Sequence, residues 1–136
     1  NIELNIFFHT ATPAPYMKIH DRYNYENLRE IMENTDVLVV PSVLIDTFGF
    51  PVTEALSYGV PVIVSGTVGA KDMIPEDCGI IIENMNSQKL AEVISGLTVD
   101  RLSRMNKAIL ENYQVLTIES MNGQLMRQCY SNHSSL

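Results

Sequence analysis

The chain has 136 residues, 46% hydrophobic and 18% charged, with a net charge of −7. That length suits one domain with its own core, and the composition excludes a disordered chain. The acidic balance and the lack of any Lys/Arg cluster argue against nucleic acid as a partner. No apolar run approaches the roughly 18–20 residues that span a bilayer, and no signal peptide is evident. Cys78 and Cys129 are far apart and read as free thiols of a reducing, cytoplasmic compartment. His9, His20 and His133 are scattered without zinc spacing. The opening Asn1-Ile2-Glu3-Leu4 carries no Met and runs straight into strand-like sequence, as in a piece of a longer protein.

In chain order, Asn1 to Phe8 alternates Ile2, Leu4 and Ile6 and predicts a strand. His9 to Pro15 is a loop, because Pro13 and Pro15 lack donors and hold their predecessors extended. Tyr16 to His20 is a short strand. Asn24 is a candidate N-cap, with Tyr25, Leu28, Ile31 and Met32 on one helical face and an end near Asn34; Tyr25 is assigned to the core. Asp36 to Val40 is a continuous apolar run suited to a parallel strand covered on both faces, ended by Pro41 and Ser42.

A loop then leads to Phe48-Gly49-Phe50. Pro51 fits the first position of a helix that buries Val52, Ala55 and Leu56, with Gly59 as its stop. Pro61 opens a buried strand, Val62 to Ser65. Gly66 to Met73 is a loop or short helix, and Gly79 to Ile82 a further strand. Ser87 caps a helix through Leu90, Val93, Ile94 and Leu97; Asp100 to Tyr113 and Ile118 to Tyr130 are two more, before a frayed tail, Ser131 to Leu136. The alternation of strands and helices predicts a Rossmann-like, doubly wound parallel α/β sheet, which binds ligands at the carboxyl ends of its strands.

The loops after Val40, after Val64 and around His20 are therefore the places to look. The first holds a carboxylate, Asp46, and runs through Gly49 into a helix that carries a second carboxylate, Glu54, one turn in. A helix start offers unpaired N–H groups and the positive end of the dipole to an anion. Gly49 lets a ligand approach the backbone closely, and carboxylates accept hydrogen bonds from hydroxyls. A phosphate flanked by sugars fits that description. A dinucleotide-dependent oxidoreductase would need a G-x-G-x-x-G turn, which is lacking. A phosphoacceptor domain would need acids at strand ends, whereas Asp36 precedes its strand.

The run Asp46-Thr47-Phe48-Gly49-Phe50-Pro51-Val52-Thr53-Glu54, followed by Ala55, Gly59 and Pro61, resembles the E-x-F-G-(x)4-E-A-(x)3-G-x-P region of the retaining GT-B glycosyltransferases of family 4. Flanking segments extend the likeness over most of residues 16–97: Asp36 to Ser42, Asn27-Leu28 with its helix, Val68 to Ile74 where the family has a Gly-Gly-x-x-Glu turn, and Cys78 to Ile82. The resemblance implies the donor-binding, C-terminal half of a GT-B enzyme that transfers a hexose from a nucleotide-diphosphate sugar to a hydroxyl, with retention, in polysaccharide or glycoconjugate assembly. It assigns Asp46 to the transferred sugar and Glu54 to the ribose. Thr47 and the backbone amides of Phe48, Gly49 and Phe50 then hold the phosphates and sugar, and the segment from His20 to Tyr23 lies against the base.

No metal or separate cofactor is implied. The resemblance also implies a single domain over residues 1–136, truncated at its N-terminal side. The absent domain would bind a saccharide or lipid-linked acceptor. The chain alone would then be inactive, and the whole protein could associate peripherally with the inner face of a membrane. Two departures stand out. The first acid is Asp rather than Glu, one methylene shorter, which gives a rival reading as a nucleotide-sugar-binding module without transfer chemistry. The strand that brings the family's basic diphosphate clamp is missing, and Lys71 and Lys18 are the nearest basic residues.

Overall fold

The structure, a computed structural model, describes residues 2–7, 12, 14–45 and 48–115. The chain divides into two compact units, Asn1–Asp36 and Val37–Leu136. In the first, strands β1 (Leu4–Phe7) and β2 (Met17–His20) pair in parallel from Leu4 opposite Met17 to Phe7 opposite His20. Helix α1 (Tyr25–Glu33) follows. Asn24 caps it as expected, and the pair is reciprocal: Asn24 Oδ1 accepts from the Glu26 and Asn27 amides, while its own N–H donates to Asn27 Oδ1. Leu28 and Met32 are buried. Tyr25 is not the core residue expected: it is 87% exposed, because the helix begins there and the buried pair four residues apart starts at Leu28.

The second unit carries a three-stranded parallel sheet, β3 (Leu38–Val40), β4 (Val62–Ser65) and β5 (Gly79–Ile82), in the order β3-β4-β5. Leu38 lies opposite Val62, and Val62 opposite Gly79. Every residue of β4 is buried. The β-branched run at β3 is shorter than expected and half-buried rather than fully buried, and β3 pairs with β4 alone among the described strands, which leaves an edge. Helix α2 (Phe50–Ser57) makes the crossover from β3 to β4 and buries Val52, Ala55 and Leu56 as the stripe predicted. Phe50 takes its first position and Pro51 its second, one place later than expected.

Gly59 stops α2 in a left-handed conformation at φ +77. The Val60 N–H reaches back to the Ala55 carbonyl and the Gly59 N–H to that of Leu56, which completes the two-bond C-terminal motif that favours glycine. Asn106, from helix α4 (Val99–Asn112), donates to the Gly59 carbonyl at 2.7 Å. Between β4 and β5, Gly69–Met73 is a short 3-10 helix.

Helix α3 spans Ser87–Ser95. Its cap is Asn86, not Ser87: Asn86 has the extended backbone of an N-cap and accepts from the Lys89 amide at 2.9 Å, which makes Ser87 the first helical residue. Gly96 ends α3, so Leu97 lies beyond it. Helix α4 starts one residue before Asp100, with Thr98 as its cap, and ends at Asn112. Cys78 is fully buried, and burial pushes its thiol above the ordinary range, as befits a small core residue rather than a nucleophile. The helix expected from Ile118 to Tyr130, the tail after it and Cys129 lie outside the described residues.

Candidate functional site

The site is built on the β3-α2-β4 unit. Beyond β3, Ser42 turns the chain outward, its hydroxyl donating to the Leu44 carbonyl at 2.8 Å. Its own carbonyl accepts two hydroxyls from the segment after β4, Ser65 Oγ at 2.6 Å and Thr67 Oγ1 at 2.7 Å. Ser65 and Thr67 also bond each other at 2.8 Å. Three hydroxyl-bearing residues thus join the carboxyl ends of two neighbouring parallel strands, where ligands of such sheets bind. Composition and periodicity did not single these residues out. The available signal was the pair of polar residues flanking Gly66 directly after a fully apolar strand.

Asp46 and Thr47 lie outside the described residues. The other four predicted site residues stand together on the loop and first turn of α2. Phe48 is half-buried, and its carbonyl accepts the Ala70 N–H, which ties the loop to the 3-10 helix. Gly49 is the N-cap of α2 at φ 84, ψ 57, a left-handed conformation that a side chain would strain. Gly49 itself has no side chain with which to cap the helix. The Phe50 amide is therefore one of the donors that any helix start leaves without an intrahelical acceptor, at the positive end of the dipole. The rings of Phe48 and Phe50 meet at a centroid distance of 4.7 Å, tilted by 50°. Glu54 sits one turn further on and is half-buried.

The two basic residues considered for a diphosphate clamp are both engaged. Lys71 lies in the 3-10 helix with its ammonium 2.8 Å from Asp72, whose carboxylate raises the lysine above its ordinary value. Lys18 lies in β2 and pairs with Glu3 at 2.7 Å. In the first unit, His20 ends β2. Its Nε2 is 2.7 Å from Asn5 Oδ1, and its ring stacks on Phe7 at 4.7 Å. Tyr23 meets the same Phe7 ring edge-on at 6.1 Å. The segment expected to face a base is thus an aromatic cluster beyond the strand end.

Among the described residues no three His, Cys, Asp or Glu side chains are grouped to hold a metal ion. No described helix is long and apolar enough to cross a membrane. A cleft of 340 Å³ beside Asp77, Gly79, Arg101 and Arg104 opens at the amino end of β5, the wrong end of a parallel sheet for the site described above.

No curated protein matches the chain in sequence. Among solved structures it is similar to Anabaena Alr3699/HepE in complex with UDP-glucose, at 20% identity over 86% of this chain and 33% of that one, with a TM-score of 0.62. It is similar to sucrose-phosphate synthase from Thermosynechococcus elongatus at 24% identity over 86% and 31%, with a TM-score of 0.63. WaaG, a glycosyltransferase involved in lipopolysaccharide biosynthesis, matches at 19% identity over 81% and 31%, with a TM-score of 0.60. At these identities the likeness is one of fold, and the chain spans about a third of each of those proteins. A family model described as glycosyl transferases group 1 matches residues 16–114, well over half of the chain and inclusive of β3, α2 and β4. The chain belongs to the glycosyl transferases group 1 family.

Proposed function

We propose that this chain is the donor-binding part of a glycosyltransferase. The whole protein transfers a hexose from a nucleotide-diphosphate sugar to an acceptor hydroxyl with retention of configuration, in polysaccharide or glycoconjugate assembly on the cytoplasmic side. The observation that carries the reading is the start of α2: a helix entered through a left-handed Gly49, which has no side chain to cap it, with Glu54 one turn in, on the loop beyond β3. In this reading the amides around Gly49 and Phe50 hold the diphosphate, Glu54 accepts from the ribose hydroxyls, and Thr47 lines the loop. Asp46 faces the transferred sugar. The acceptor, a saccharide or a lipid-linked sugar, is bound by a part of the protein beyond these residues.

The test is a thermal-shift and NMR titration of the chain with UDP, GDP, ADP, CMP and dTDP, with Glu54→Ala beside it. One nucleotide present at about 100 times its Kd stabilises the fold by roughly 2.7 kcal/mol. That stabilisation is expected for one base and is expected to vanish in the variant. Equal binding by both chains would remove Glu54 from the site. The shorter acid at Asp46 favours a second reading, a module that binds the donor without transferring its sugar. Turnover of the whole protein, lost with Asp46→Ala while donor binding is kept, separates transfer from binding.

A further inference from the structure

The aromatic side chain at the start of α2 is unexplained by packing. The core stripe of the helix, Val52, Ala55 and Leu56, is complete without Phe50, which is 68% exposed. Single exposed apolar residues are common and mean little alone. Tyr25 supplies the control: it too opens a helix and is exposed, yet has no ring neighbour among the described residues. Phe50 differs in three ways. Its ring rests against that of the half-buried Phe48, which fixes its attitude. It follows Gly49, which offers no side chain to cap the helix start. It also lies four residues before Glu54, and residues so spaced share a helix face.

An aromatic face one turn from a carboxylate is a combination for carbohydrate. The C–H face of a pyranose packs on the ring, while the carboxylate accepts from the ribose hydroxyls of the same donor. The helix start takes the phosphate to which that sugar is bonded, so ring and phosphate lie within one residue of each other. We infer that the Phe50 ring is a stacking platform for the hexose of the donor and a determinant of sugar affinity, an inference that rests on the donor-site reading above. Its side chain then has a role distinct from that of its backbone amide.

The probes are UDP, GDP, ADP and dTDP, each free and as its glucose ester, titrated by NMR into the unsubstituted chain, Phe50→Ala and Phe50→Tyr. For the base that binds, Phe50→Ala is expected to weaken the glucose ester about tenfold. The free diphosphate, which meets the backbone and not the ring, is expected to weaken far less than the ester, and Phe50→Tyr, which keeps a ring, restores the ester. The exposed position predicts an unchanged unfolding midpoint for both variants, so a folding defect would be visible separately. An Ala variant that binds the ester as tightly as the unsubstituted chain overturns the inference. So does one that weakens the free diphosphate equally, since the ring would then serve the nucleotide and not the hexose. An unsubstituted chain that binds neither form of any probe overturns the donor-site reading itself, and the platform with it.

Discussion

The two sheets of this chain are both parallel and are held by opposite means. In the three-stranded sheet the middle strand, β4, is buried at every residue, and the side chains of Val62, Ile63 and Val64 reach no solvent. In the two-stranded sheet, β2 is exposed at Lys18, Ile19 and His20, and only Met17 is half-buried. Beside the ladder and the apolar register pairs Leu4–Met17 and Ile6–Ile19, β1 and β2 are joined by polar and aromatic contacts: Glu3 with Lys18, Asn5 with His20, Phe7 stacked on His20. Parallel sheets are ordinarily covered on both faces, and here only β4, the middle strand of the three-stranded sheet, is buried throughout. The difference has a consequence for function. The loops that carry Gly49 and Ser65 hang from the dry sheet, so small displacements of its strands would be costly and the site geometry is held firm. The family match likewise begins at Tyr16 and leaves β1 outside.

Core truncation puts that contrast to its hardest test. Ile63→Ala in β4 removes a side chain with no exposure and is expected to cost roughly 2–5 kcal/mol. Ile19→Ala in β2, where the residue is 41% exposed, is expected to cost less than about 1 kcal/mol, since less area leaves the protein interior. Urea unfolding of the two variants measures both, and equal losses would erase the distinction between the sheets. A smaller effect is expected at the strand end. Ser65→Ala deletes the hydroxyl that donates to the Ser42 carbonyl and bonds Thr67 Oγ1. Thr67 still reaches that carbonyl, so the loss should be about 1 kcal/mol. NMR should show its chemical-shift changes concentrated at residues 42–45 and 66–68; changes confined to β4 would mean that the hydroxyls do not tie the two loops together.

The sheet contrast also explains what could be read from the sequence. Burial writes itself into apolar patterning, so β4, the α2 stripe and the Gly59 stop were all legible. The motif from Asp46 to Glu54 was legible because its residue types and spacing are specific. Apolar patterning reports less well at edges. The Asp36 to Val40 run is as apolar as a central strand, yet β3 is half-buried, because whether a strand has one neighbour or two is decided by topology and not by its own residues. Tyr25 fits the helical period but falls at the helix start, where the buried stripe had not begun. Asn86 and Ser87 are both good caps, and only backbone geometry chooses between them. The hydroxyl network of Ser42, Ser65 and Thr67 joins residues up to 25 positions apart, and its one local trace is the pair of hydroxyl residues flanking Gly66.

The smallest effect is expected in the polar sheet, and its sign is fixed by chemistry. The hydrogen bond from Lys18, followed by that from Asn5, holds the Glu3 carboxyl below the ordinary carboxylate range. A carboxyl depressed in the folded state stabilises the fold above its unfolded pKa, and that contribution fades as the pH falls through the folded value. The window therefore lies at and below the ordinary carboxylate range, with no effect near neutrality. Both side chains are more than half exposed, so salt screens the pair and the unfolding midpoint should hardly move across that window. The Glu3 titration itself is the sensitive readout. Followed by NMR, it should shift up towards the ordinary range in Lys18→Ala, and part of the way there in the unsubstituted chain at high salt. A Glu3 that titrates as low without Lys18 as with it would assign the depression to Asn5, and would leave the β1–β2 ladder, the Asn5–His20 bond and the Phe7–His20 stack as what holds this sheet together.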